Sequence, residues 1–117
     1  MNLGFENLQV WKRSVVLSSQ IYKNFKKCND FSFSPQITRS SLSIPSNISE
    51  GYERETIKDK NRFYTIAKGS AGELRTQIII GVDIGYIEKA TGEEWTNETR
   101  ELSAMLTGLI KSNLNKS

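Results

Sequence analysis

Apolar side chains recur along the chain at steps of three and four residues, and no stretch sustains the alternation of a strand. Leu8, Trp11, Val15, Ser18, Tyr22 and Phe25 share one helical stripe, flanked by a second of Val10, Leu17 and Ile21. The spacing predicts a first helix over residues 7–27 that touches more than one neighbour. Lys26 and Lys27 near its end suit the negative pole of the helix dipole. Ser34 reads as an N-cap, with Pro35 at the first helical position, where a missing N–H costs nothing. The second helix is predicted over 35–50, stopping at Gly51. Pro45 lies inside it, removes the bond to the Ser41 carbonyl and predicts a kink. Ser40, Ser41 and Ser43 are at hand to satisfy the freed carbonyl; two short helices broken at Ser43-Ile44 are the alternative. Thr56 with Asp59 is a capping-box pattern that opens a third helix over 57–84, with Gly85 just past its end. Its stripe is Phe63, Ala67, Ser70, Leu74, Gln77 and Ile78, and the run Gly69, Ser70, Ala71, Gly72 permits another backbone to come close. Thr91 with Glu94 opens a fourth helix over 92–113, with Trp95, Leu102, Met105, Leu106, Leu109 and Ile110 inward. Four helices on short connections predict one all-α domain over residues 1–117. Its architecture is an antiparallel up-down-up-down four-helix bundle in which the first helix lies beside the fourth.

Composition removes much chemistry from that scaffold. The chain of 117 residues has 0 histidines and 1 cysteine, Cys28. His-dependent triads, His metal ligands, intrachain disulfides and Cys-cluster metal sites are excluded together. No metal and no cofactor is expected. No apolar run approaches the roughly 20 residues of a membrane span, and the first residues lack the pattern of a signal peptide. A single unpaired thiol fits a reducing cytoplasm. Net charge is +3, but unevenly spread. Residues 1–49 carry +4, residues 50–80 carry +1, residues 81–110 carry −4, and Lys111 and Lys116 follow. A basic start and an acidic late segment can meet within one chain or between subunits, leaving a basic surface for an anionic partner.

Candidate side chains fall into three groups. Among carboxylates, Glu50 and Glu53 have di-metal spacing but no histidine to complete the site. Glu50 with Glu73 is the remaining acid/base pair, and Cys28 has neither a base nor a resolving cysteine beside it. The second group is polar. Gln36, Arg39, Ser43, Asn47 and Glu50 recur along the second helix, and Ser70, Glu73 and Gln77 along the third. Facing each other, they make either a buried network, Arg39 paired with Glu50 or Glu73 and Asn47 and Ser70 satisfied across the gap, or a polar pocket for a ligand. The third group is basic: Lys12, Lys23, Lys26, Lys27, Lys58, Lys60, Arg62 and Lys68 are candidates for phosphate contacts, or plain solvated surface.

The segment from Gln36 to Gly51, with Ser43-Ile44-Pro45-Ser46-Asn47 followed by Glu50-Gly51, resembles the signature of the 23S rRNA intervening-sequence protein family. Phe5-Glu6-Asn7-Leu8 with Trp11, Phe63-Tyr64, Ala67-Lys68-Gly69-Ser70 with Glu73-Leu74, and Met105-Leu106 with Leu109-Ile110 extend the resemblance over nearly the whole chain. Thr38, Ser40, Ser41 and Ser49 depart from its Arg and Ala positions. The family is similar to the accessory variability determinant of diversity-generating retroelements, a ring-forming bundle that binds nucleic acid and a reverse transcriptase. The resemblance implies a non-enzymatic homo-oligomer, a homopentamer in particular, with RNA, another nucleic acid or a protein as partner. An oligomeric protein-interaction scaffold without nucleic acid is the other reading, and small-molecule binding in the bundle a third.

Overall fold

A computed structural model describes residues 4–116. A 3-10 turn, Phe5–Asn7, leads into α1 (Gln9–Asn24), followed by α2 (Phe33–Glu53), α3 (Ile57–Asp83) and α4 (Lys89–Asn115). Consecutive helices pack together and α4 closes on α1; the backbones of α1 and α3, and of α2 and α4, do not approach each other, so those pairs are diagonal. The result is an antiparallel four-helix bundle of 46 × 24 × 24 Å, its length matching the roughly 40 Å that 27 residues span at 1.5 Å each.

The core takes one stripe from each helix. Ile21, Ile37, Ile44, Ile48, Ala67, Ala71, Leu74, Ile78, Leu102 and Leu106 are fully enclosed. On α1 the inward stripe is Val10, Leu17 and Ile21 with Phe25, whereas Tyr22, from the other expected stripe, is exposed. Two serines decide this. Ser14 donates to the Trp11 carbonyl at 2.9 Å and Ser18 meets the Ser41 hydroxyl at 2.9 Å, so both are buried with their polarity satisfied. Ser18, not Tyr22, is buried against α2.

Local chemistry sets the helix ends. Thr56 Oγ1 accepts from the Asp59 N–H at 3.1 Å, the cap expected for α3. The cap of α2 differs from expectation. Asp30 Oδ1 accepts from the N–H groups of Ser32 and Phe33, so the helix starts at Phe33 and Pro35 falls in its first turn. The α4 start also differs: Thr91 lies inside the helix, which begins at Lys89 after Glu88. Burial of Ile87 beside Gly81 fixes that approach.

α2 runs unbroken through Pro45 and past Gly51 to Glu53. Around the proline, Ser41 Oγ donates to the Thr38 carbonyl at 2.7 Å and Asn47 Nδ2 to the Ser43 carbonyl at 2.8 Å. Gly51 does not stop the helix; it lets α3 in. A Cβ there would stand 2.8 Å from Tyr64 Cε1 and 3.0 Å from the Lys60 carbonyl oxygen. The small run on α3 divides by angle: Ala71 is in the core, Ser70 meets α2, and Gly69 and Gly72 have open space where a Cβ would go.

Candidate functional site

The polar stripes of α2 and α3 do face each other, with Ser43, Asn47, Ser70 and Gln77 half-buried and the charged members outside. Ser43 and Ser70 hydroxyls lie 2.9 Å apart, and Asn47 Nδ2 donates to Ser43 Oγ at 2.9 Å. Ser40, buried, donates to Glu73 Oε1 at 3.1 Å. Arg39, Glu50 and Glu73 are exposed, contrary to the expectation of a buried charged network. Glu50 meets Arg54 one turn on at 3.5 Å, and Arg39 has no ion pair among the described residues. Burying charge costs several kcal/mol per ion, and serine with asparagine fills the seam without that cost. At the outer edge, Gln36, Arg39, Ser40, Ser43, Glu73 and Gln77 line a hollow of about 220 Å³. Within it, Gln77 Oε1 is buried without a partner among the described residues.

The eight candidate cations do not form one patch. Lys12, Lys23, Lys26 and Lys27 are all exposed, the first two on α1 and the others just past its end. Lys12, Lys23 and Lys26 follow the outward side of the α1 stripe, and none of the four has an ion pair among the described residues. Lys58, Arg62 and Lys68 are exposed on α3, the diagonal helix, and so point away from the α1 group. Lys60 is not free: its Nζ donates to the Tyr52 carbonyl at 2.7 Å and sits 5.5 Å from the Tyr52 ring centroid. Arg62 leans on Phe63 at 5.2 Å.

The acidic side of α4 meets α1 through one residue that charge counting alone did not single out. Arg13 Nε and a terminal nitrogen donate to both oxygens of Glu98, at 2.9 and 2.5 Å, and the same nitrogen reaches Glu101 at 2.5 Å. Hydrogen bonds to Glu98 and then Glu101 push the Arg13 pKa up further.

At the end where α1 turns into α2, Phe25, Phe33 and Tyr86 form an aromatic cluster with centroids 5.5 to 6.5 Å apart. The Tyr86 hydroxyl donates to Asp30 Oδ2 at 2.8 Å. The Phe33 N–H, then that hydroxyl and Ser32, pull the Asp30 pKa down to about 2. Phe31 is left outside the cluster, 82% exposed, and Tyr22 on α1 is 43% exposed. Tyr22 was expected on an apolar stripe of α1, and Phe31 was not singled out. Phe31 and Phe33 are two residues apart at a helix start, so only one can join the core, and sequence spacing does not say which. Cys28 is half-buried in the same connection. Among the described residues no group of acidic or sulfur side chains is placed to hold a metal, and no helix is long and apolar enough to cross a membrane.

The family model for the 23S rRNA-intervening sequence protein matches residues 6–108. A crystal structure of a protein with unknown function from the S23 ribosomal protein family of Bacteroides thetaiotaomicron superposes with a TM-score of 0.81 at 27% identity, covering 87% of this chain and 98% of that one. No curated protein matches the chain.

Proposed function

Taking as premise that the chain belongs to the 23S rRNA-intervening sequence protein family, we propose that it is a non-catalytic, oligomeric bundle that binds RNA or another nucleic acid through exposed lysines. It would act in the cytoplasm. The observation that carries this reading is the imbalance between opposite charges. Arg13 occupies Glu98 and Glu101 on α4, whereas Lys12, Lys23, Lys26 and Lys27 keep their charge for a partner. A row of such lysines displaces counterions from a phosphate backbone, the main source of sequence-independent affinity.

One subunit carries only +3, so affinity would rest on several subunits acting together. Ile66, Ile80 and Ile84 favour such an assembly: they are 42 to 50% exposed and recur on the outward side of α3 and just past its end. Packing of this face against an unlike face of the next copy would be heterologous, and a heterologous contact whose rotation closes makes a ring, five subunits by family resemblance. Light scattering of the protein alone and with a structured RNA at low salt tests both parts. A ring-sized particle that gains RNA mass is expected. A monomer would remove the assembly, and a ring that leaves the RNA free would remove the binding and favour a protein-interaction scaffold on the same isoleucine face.

A further inference from the structure

The α1–α2 corner combines positive charge with aromatic rings left in water. Residues 22–38 hold Lys23, Lys26 and Lys27 against one carboxylate, Asp30. That carboxylate is already engaged on both oxygens, by Ser32 and Phe33 on one and Tyr86 on the other. Tyr22, Lys23, Lys26, Pro35 and Thr38 border an open hollow of about 450 Å³ between the end of α1 and the start of α2. Phe31, 82% exposed, stands in the connection joining those two helices. A single exposed apolar side chain is ordinary. Two exposed aromatic rings, Tyr22 at the border of that hollow and Phe31 in the connection, in a segment whose three lysines have no ion pair among the described residues, are not explained by packing, because the aromatic cluster beneath is complete with Phe25, Phe33 and Tyr86.

We infer that this corner is a platform for unpaired nucleotides, on which bases stack against Phe31 and Tyr22 while Lys23, Lys26 and Lys27 hold the phosphates. Every base has a π-face, so such stacking accepts any sequence but requires the base to be out of a duplex. The lysines supply the charge complementarity that selects a polyanion over an apolar peptide or a second basic subunit. The inference rests on the nucleic-acid reading above and narrows it to single strands, loops or bulges.

Fluorescence anisotropy with a labelled oligouridylate of about 16 nucleotides, and with a duplex of equal length, tests it at low salt. The single strand should bind about tenfold more tightly than the duplex. Phe31→Ala and Tyr22→Ala should each weaken it about fivefold to tenfold and leave the duplex unchanged. Phe31→Trp should keep single-strand binding, which a merely structural role would not require. Equal affinity for the two strands, indifferent to Phe31→Ala, would overturn the platform while sparing nucleic-acid binding. No binding of either strand would overturn both. A fall in particle mass on Phe31→Ala would also overturn it, by assigning the ring to a contact between copies.

Discussion

Asp30 commits its carboxylate to the start of α2, and the Phe33 N–H, then Tyr86 and Ser32, hold its pKa down to about 2. A folded-state pKa below the unfolded value of about 4 means stability that is present above pH 4 and lost as pH falls toward 2. Asp30→Asn should therefore flatten the acid limb of a thermal-melt pH series between those values, with the melting temperature near neutrality also lower. A second residue-scale expectation concerns Gly51. A methyl there collides with Tyr64 and the Lys60 backbone, so Gly51→Ala should cost about 1–3 kcal/mol in chemical denaturation despite alanine's better helix propensity. At this scale the sequence showed residue types more clearly than their neighbours. Thr56 was readable as a cap because its partner is three residues away. Asp30 was not, because Ser34 before Pro35 offered a competing cap four residues on, although the Asp30 partners Ser32 and Phe33 are just as local. Gly51 was read as a stop because the ring that needs its space belongs to another helix.

Helices one to four, their order and their ends to within a few residues follow from spacing alone; what each face meets does not. Periodicity fixes an angle to within about one residue of turn, and at the α2–α3 seam that margin separates the half-buried Ser43 and Ser70 from the exposed Arg39 and Glu73. Consequently Glu73→Ala, which would destabilise strongly if the charge were buried, should cost only about 1 kcal/mol, the worth of its hydrogen bond from Ser40. Gly69 and Gly72 give a sharper test of the α3 surface. Both have open space at the Cβ position, so Gly69→Ala and Gly72→Ala should each raise the stability of a lone bundle by about 0.8–1 kcal/mol. If a neighbouring copy approaches along this strip, the same changes should lower the particle mass in light scattering instead.

Across the whole molecule, charge is arranged by diagonal position. α1 and α3 are diagonal, so their outward faces lie on opposite sides of the bundle; the eight basic residues that look like one set in the sequence are split between those sides, with Lys60 withdrawn to hold Tyr52. The sequence showed a basic start and an acidic late segment; it did not show that the two meet chiefly through Arg13. That half-exposed ion pair should be worth only about 0.5–1 kcal/mol, and Arg13→Ala should lose it most visibly at low salt. The central claim is that the remaining α1 lysines bind a phosphate backbone. The most direct measurement is the salt dependence of RNA affinity for the natural chain and for a variant with Lys12, Lys23, Lys26 and Lys27 all changed to Gln. Steep weakening with salt is expected for the natural chain, and the slope should fall by about 0.7–0.9 for each phosphate contact removed. An affinity that ignores salt, or a variant whose slope equals that of the natural chain, would contradict the account.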